Sequence, residues 1–597
     1  MKRAFAWVSA TGARAALSLL VLSGFIEFFR LGARGLFEPD EGRYAEIPRE
    51  MIALADRITP HLNYVPYFEK PPLVYWMTAG LYRLLGESPW AARFPSAFFT
   101  VLAVIVTAAF GRRLLGARVG WLGGAILATS LLPIGIGRIA ALDAVVASLV
   151  TIAIFAFHAA LRAAPESLRR RDGWLLLAYV AAALATLAKG PVGAVLPALA
   201  IALDLLFSGR LRDLRHLSLF SGAIVYLAIT APWFIEVARR HPGFLEYFFL
   251  HETLLRYTSA VHKRTGSVFY YVPVLVAGFA PWSLLLPRAL TGAWRDRRET
   301  EGREVRFLAI WGTAVFLFFS FAGSKLPGYL LPAFPPFALL LARAFVPRPG
   351  APGPAALAGT RWLDLSLAFL VLAGFVGLIV PERILAAASK DIAGAARVIG
   401  ALTLAIGGLG LLALRRGRAA IAAACLGGWI VVSAPLFVCV SERLEDRYSV
   451  APIAALFASR IAPGDTVVQY RGYAEGFPFY LGRRIILYRH VGELLDGYRR
   501  SNPKERVRWF ITEKKDLARI VGGDRAGGGR VFVLTSRRDE PDLVAEFPAL
   551  VRLGASARYA LFATRPAGAS PSPPGDPSGD PSGDPSGDPS GDPSGDR

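Results

Sequence analysis

Apolar stretches of helical length recur from residue 15 to residue 440, and they limit what this chain can fold into. They cover residues 15–26, 97–110, 119–132, 144–160, 175–187, 192–207, 217–231, 268–286, 307–321, 326–341, 365–380, 398–414 and 419–440. Inside a bilayer the backbone N–H and C=O groups need partners within the protein, and a helix of about 20 apolar residues supplies them. With their flanks, the runs predict about thirteen transmembrane helices. A mean hydropathy of +0.42 over 597 residues agrees with a polytopic all-α membrane protein. Glu27 and Arg30 close the first run, with no small-residue cleavage site after it. It reads as a retained span and not a signal peptide. Cys425 and Cys439 lie in the last run, about 21 Å apart along a helix, too far for a disulfide.

The net charge of +22 would suit a nucleic-acid partner, but its distribution points elsewhere. With Lys2, Arg3 and Arg14 cytoplasmic, alternate loops are the arginine-rich ones: 112–118, 162–171, 210–215, 295–306, 343–348 and 415–418. Positive charge marks the cytoplasmic side of membrane proteins. The excess is therefore a topology signal, and an odd number of spans places the C-terminal part outside. No nucleic acid is implied.

Three regions follow. Residues 1–440 form the membrane domain. Residues 441–565 change character, with β-rich runs at 466–470, 484–488, 509–512, 530–535 and 559–564 between polar stretches; they predict a small extracytoplasmic α/β domain. From 566 the chain runs into a Gly-Asp-Pro-Ser repeat without large apolar residues, which predicts a disordered tail.

Unusual polar residues collect in the segments assigned to the outside, above all 36–93 and 238–267. "GLFEPDEGRYAEI" (35–47) places Asp40 and Glu41 at a helix start, followed by Arg43 and Tyr44. Acids there complement the helix dipole. The bland reading is a charged cap on an interfacial helix whose polar face continues through Glu46 and Arg49. "NYVPYFEKPPLVYW" (63–76) sets Glu69 and Lys70 before two prolines, which hold the segment extended. Its aromatics alone would suit a membrane-interface belt. Arg138 and Asp143 lie at the start of the fourth span; they form either a structural ion pair or a site, since an ionisable group in a span marks function by default. "HETLLRY" (251–257) contributes His251 and Arg256, with His262, Lys263 and Arg264 nearby, and Lys325 and Tyr329 flank a Leu-Pro-Gly turn. Lys70, Arg138, Lys189, Arg256 and Lys325 oppose the positive-inside trend. Cations so placed call for an anion, and a lipid-linked phosphate is available at that depth. No glycine-rich nucleotide loop is present. A transporter would show internal repeats and charges near the bilayer midplane, and neither is visible.

Together "EPDEGRYAEIPREM", "PYFEKPPLVYW", "GRIAALDA", "LAKGP", "HETLLRY" and "GSKLPGYLLPAFPP" resemble the bacterial GT-C glycosyltransferases that use polyprenyl-phosphate sugars. The likeness is greatest to the branch that transfers 4-amino-4-deoxy-L-arabinose to lipid A, with protein O-mannosyltransferases as more distant relatives. It implies a GT-C fold and an inverting transfer at the outer face of the inner membrane. The donor would be a sugar on undecaprenyl phosphate; the acceptor would be lipid A or, alternatively, a protein or another envelope glycan. By residue it implies Asp40, Glu41 and Asp143 as catalytic. Arg43, Tyr44, Glu69, Lys70, Arg256, Lys325 and Tyr329 would contact the carrier phosphate and sugar, beside Arg138 from the reading above. No cofactor is implied beyond a divalent metal on His251, for which Glu475 is the expected acidic partner.

Overall fold

A computed structural model describes residues 12–163, 167–258, 266–296, 302–346, 361–379, 390–523 and 529–565. His262, Lys263, Arg264 and the repeat tail lie outside the described residues. Every apolar run falls on a helix or a bent helix pair. Among the described residues eight helices are long and apolar enough to cross a membrane: Pro89–Leu115, Asp143–Leu161, Leu168–Lys189, Leu219–Arg240, Pro327–Phe345, Arg361–Ile379, Ala393–Arg415 and Ala419–Arg443.

Two runs expected to be straight are broken. Ala117–Ala128 and Leu131–Gly137 meet at 60°, and Val268–Gly278 and Ser283–Ala293 at 115°. At the first break the Thr129 and Ser130 hydroxyls donate back to the carbonyls of Ala125 and Ile126, both at 2.7 Å, a bond that bends helices. At the second, Pro281 cannot continue a helix. The breaks also join each other, because the Leu131 N–H donates to the Ala280 carbonyl at 3.2 Å.

The helix Asp40–Ala53 follows the first described helix, Gly12–Phe28, on which the first apolar run falls. It is not an interfacial helix with a wet polar face. Glu41, Arg43, Glu46, Arg49 and Glu50 are all buried. Arg49 donates to both oxygens of Glu46 at 2.5 and 2.6 Å, and Glu50 accepts the Tyr64 N–H at 2.7 Å. Glu41 is the anchor: it accepts from Arg93 Nε at 2.7 Å, Arg34 Nη1 at 2.5 Å, and the N–H groups of Phe37 and Ala140, each at 3.0 Å. Burial alone would raise its carboxyl, but the charges of Arg93 and Arg34 outweigh that and hold it at about 2. It therefore stays ionised throughout the physiological range, and the stabilisation it gives is lost only as pH falls from the ordinary carboxylate range through about 2.

The C-terminal region folds over this helix. Its six-stranded sheet has the order Phe510–Ile511, Ile486–Tyr488, Thr466–Tyr470, Val531–Ser536, Tyr559–Ala563, Val551–Ala555. The first four are parallel and the last two antiparallel. Both faces are covered, which is why the central strands read as continuous apolar runs. Val467, Leu487, Phe532 and Leu561 face Ile47 and Met51 of the Asp40–Ala53 helix. Val468, Ile486, Val533 and Phe562 face Leu517, Leu543 and Phe547. The strand Val551–Ala555 went unrecognised in the sequence because it is an exposed edge with a bulge between Arg552 and Gly554.

A two-residue turn at Asn63 and Tyr64, both at positive φ, joins the ribbon strands His61–Leu62 and Val65–Pro66, as tight hairpins require. Asn63 is fully buried and pairs with both backbone groups of Ile485, at 3.1 and 3.3 Å. Tyr67 is likewise buried under the sheet, so the aromatics here are protein core and not a membrane belt.

Replacing Glu41 with alanine leaves the charges of Arg93 and Arg34 enclosed without their partner. Such a change costs about 3–5 kcal/mol. The melting temperature of Glu41→Ala in detergent should fall by several degrees; an unchanged melt contradicts the anchor.

Candidate active site

A cavity of about 500 Å³ opens where the first loop meets the bundle. Its lining combines ionic side chains, Glu69, Lys70, Asp143, Lys189, Glu252 and Arg256, with apolar ones, among them Val195, Leu196, Phe248, Phe318 and Pro332. The elements that deliver these groups are specific to the sequence. Pro71 and Pro72 keep Glu69 and Lys70 out of the following helix. Asp143 begins the Asp143–Leu161 helix and Lys189 ends Leu168–Lys189, where an acid and a base each suit the dipole. Glu252 lies on the wide helical segment Tyr247–Leu255, whose Thr253 hydroxyl reaches five residues back to the Phe248 carbonyl at 2.9 Å. Such segments occur mostly at functional sites.

The charges alternate. Lys70 Nζ lies 3.6 Å from Glu252 Oε2 and 3.8 Å from Glu69 Oε2. Arg256 Nη1 lies 3.0 Å from Glu252 and 3.9 Å from Glu69. Lys189 pairs with Asp143 and stands 4.3 Å from the Tyr329 ring centre. Asp143 also depends on Gly328, because a Cβ there would meet its Cγ at 2.8 Å. Burial, and then the charge of Arg256, push the Lys70 ammonium down to about 8, against the pull of Glu69 and Glu252. Glu69 lies below the usual carboxylate range: burial opposes this, but Lys70, Arg43 and Arg256 prevail.

Asp40 is not part of the cavity lining; about half of its side chain is exposed, and it pairs with Arg43. Arg43 also pairs with Glu493 of the C-terminal region. Burial raises the Tyr44 phenol; Arg43 opposes, while the charges of Asp40, Glu69 and Asp143 all add to the rise.

Residues 69–235 match the dolichyl-phosphate-mannose-protein mannosyltransferase family. An undecaprenyl phosphate-alpha-4-amino-4-deoxy-L-arabinose arabinosyl transferase of Pectobacterium carotovorum is 31% identical over 565 residues, 91% of this chain and 96% of the relative. The chain belongs to this arabinosyl transferase family. A relative of the same name from Erwinia tasmaniensis is 37% identical over 52% of this chain and 56% of its own length. The crystal structure of ArnT from Cupriavidus metallidurans bound to undecaprenyl phosphate superposes with a TM-score of 0.80 at 28% identity, covering 94% of this chain and all of that one. An archaeal oligosaccharyltransferase from Archaeoglobus fulgidus, at 13% identity, 89% coverage of this chain, 70% of that one and a TM-score of 0.50, shares the fold.

Within the family fold, several residues expected in the site lie elsewhere. Glu41 is the buried anchor described above and does not face the cavity. Arg138 donates to the carbonyls of Ile26, Glu27 and Phe29, closing the end of Gly12–Phe28. Lys325 donates to Phe319, Ser320 and Ala322 at 3.3, 2.7 and 2.9 Å, closing the end of Gly302–Ser320. Both do what cations at helix C-termini do. Glu475 sits beside Glu38 under the C-terminal sheet. The acid beside His251 is instead Glu252, 3.4 Å away. Among the described residues no three His, Cys, Asp or Glu side chains come together as a metal group, and zinc takes four ligands. Among the described residues the donors beside His251 do not make up a metal site.

Lys189, one of the outer-face cations read from sequence, lines the cavity, and Glu252, which the sequence reading did not single out, completes it. An acid four residues before Arg256 in the same segment was the available signal for Glu252.

Lys70 predicts a pH dependence. It is charged below about 8 and loses that charge as pH rises through it. Binding of undecaprenyl phosphate to the purified protein should therefore weaken above about pH 8, and Lys70→Arg, which stays charged, should flatten the profile. A wild-type profile level from pH 7 to 9.5 would contradict this role.

Proposed function

We propose that this chain is an inverting glycosyltransferase of the inner membrane that moves 4-amino-4-deoxy-L-arabinose from undecaprenyl phosphate to lipid A at the outer face. The observation that carries the reading is the mixed lining of the cavity: cations for a phosphate together with apolar walls for its isoprenoid chain. A second apolar cavity of about 550 Å³, lined in part by Phe234 and Leu245, shares Pro191 and Phe249 with it and gives the chain further room. The N-terminus is cytoplasmic, following the arginine-rich loops. Residues 1–440 then hold the cavity, and 441–565 cover it from the extracytoplasmic side.

The reaction forms a bond from an acceptor oxygen to the anomeric carbon as the carbon–oxygen bond to phosphate breaks. Both electrons of the broken bond leave with the lipid phosphate. Lys70, Lys189 and Arg256 stabilise the growing charge on that leaving group, in a site where water no longer screens them. Glu69 and Glu252 keep Lys70 and Arg256 in place before the donor arrives. Asp143 positions Lys189. Asp40, half exposed and steadied by Arg43, meets the acceptor. If that oxygen belongs to a phosphate of lipid A, it is already anionic, and Asp40 orients the sugar; if it is a hydroxyl, Asp40 takes its proton. Tyr44 and Tyr329 line the path between Asp40 and the cations.

Mass spectrometry of lipid A from cells with and without this chain tests sugar and acceptor together. Lipid A gains the pentosamine mass when the chain is present, and Asp40→Ala removes the gain without loss of protein from the membrane. Modification of envelope proteins instead would move the acceptor to the alternative class. Lys70→Ala should raise the donor KM by at least about tenfold, the weight of one charge-assisted phosphate contact; an unchanged donor KM would argue against that contact.

A further inference from the structure

The strand Thr466–Tyr470 has Ile486–Tyr488 on one side and Val531–Ser536 on the other. The order of the parallel strands thus reverses at Thr466–Tyr470, and a crevice opens past its carboxyl end and that of Val531–Ser536. Open α/β sheets take their ligands at such a switch point. In this chain the position is filled from within. The loop after Tyr470 leads into the short helix Gly476–Leu481, and the Gly476 N–H donates to both carboxylate oxygens of Glu38 at 3.0 and 3.2 Å. Tyr559, paired with Ser536 at the far edge of the crevice, and Arg558 lie within electrostatic reach of the same carboxylate.

The grip extends along the backbone on either side of Glu38. The Leu36 N–H donates to the Tyr480 hydroxyl at 2.7 Å, the Glu38 N–H donates to the Tyr448 carbonyl at 2.9 Å, and Phe37 pairs with Ser449. Beyond Asp40, Gly42 lies flat on Gly476, where a Cβ would meet the Gly476 Cα at 2.8 Å. Asp40 stands between these fixed points as the first residue of its helix, with about half of its side chain exposed and Arg43 as its ion-pair partner. Its place is therefore set by its neighbours.

We propose that Glu38 is a positioning residue for Asp40, and that the ligand crevice of the C-terminal sheet has been given over to holding it. The proposal rests on Asp40 being the acid that meets the acceptor. Its chemical content is modest and testable: Glu38 needs an acceptor oxygen toward Gly476, not a charge. Displacing a site group by about 1 Å costs on the order of 100-fold in rate while leaving substrate binding in place.

The test uses the full-length protein in lipid nanodiscs with a lipid-linked sugar donor. Glu38→Ala removes the acceptor, Glu38→Gln keeps an oxygen for the Gly476 N–H, and Gly476→Ala drives a methyl against the Glu38 carboxylate. Glu38→Ala and Gly476→Ala should each lower kcat by about 10- to 100-fold with donor KM within about twofold, and Glu38→Gln should keep most of the turnover. Binding of undecaprenyl phosphate, measured alongside, reports an intact cavity. Full kcat in Glu38→Ala overturns the proposal. So does equal loss in Glu38→Ala and Glu38→Gln, which would make the charge itself the requirement. Loss of lipid-phosphate binding together with turnover in Glu38→Ala also overturns it, since Glu38 would then be holding the fold. Full turnover in Asp40→Ala, assayed in parallel, would remove instead the reading of Asp40 on which the proposal stands.

Discussion

The bidentate pair between Glu41 and Arg93 is the constraint on which the junction of the helix bundle with the Asp40–Ala53 helix depends. Arg93 is fully buried, and its remaining donors go to the carbonyls of Leu31, Arg34 and Gly35. Glu41 in turn takes the N–H of Ala140. One ion pair thus ties the end of Gly12–Phe28, the start of Pro89–Leu115, the turn before Asp143 and the helix that begins at Asp40. A buried pair adds little stability over an apolar one, but losing one partner is costly. Its use here is to fix where four segments meet. Asp40 and Asp143, which flank that junction in sequence, inherit their positions from it.

The cavity shows the opposite use of charge. Glu69, Lys70, Glu252 and Arg256 alternate in sign, so each pays less for being buried than it would alone. The arrangement is nearly neutral before a donor binds. In the proposed reaction a phosphate entering it competes with Glu69 and Glu252 for the same cations, which limits affinity for the lipid carrier and leaves Lys70, Lys189 and Arg256 to meet the charge that develops as the sugar leaves. That balance suits an enzyme that must release the lipid phosphate after each turnover.

Much of this was legible from residues placed against a trend. Lys70, Arg256 and Asp143 stand out as charges where a membrane protein avoids them, and all three line the cavity. The same reasoning misplaced Arg138 and Lys325. Lys325 closes the end of the helix just before it, and Arg138 closes the end of Gly12–Phe28, far away in the chain; capping orphan carbonyls is a second occupation that spacing cannot tell from phosphate binding. Glu41 shared the acidic turn with Asp40; which of two adjacent acids points inward depends on Arg93, fifty-two residues away in the chain. The spacing of Glu252 to Arg256 was there to read, but its place beside Lys70 depends on packing between segments far apart in the chain. The straight runs at 119–132 and 268–286 broke because Thr129, Ser130 and Pro281 act on backbone hydrogen bonds, a local effect that hydropathy does not register.

The sequence by itself determined the membrane class, the helical runs, the strands of the C-terminal sheet apart from its bulged edge, and the outer-loop acids and cations from which a lipid-phosphate chemistry follows. It could do so because hydropathy and charge placement are properties of single segments. Only the tertiary structure decided that the Asp40–Ala53 helix is enclosed between bundle and sheet, that Glu252 joins Lys70 and Arg256, and that Glu38 fills the crevice beside Gly476. Those are matters of distance between segments far apart in the chain, and distance is set by packing.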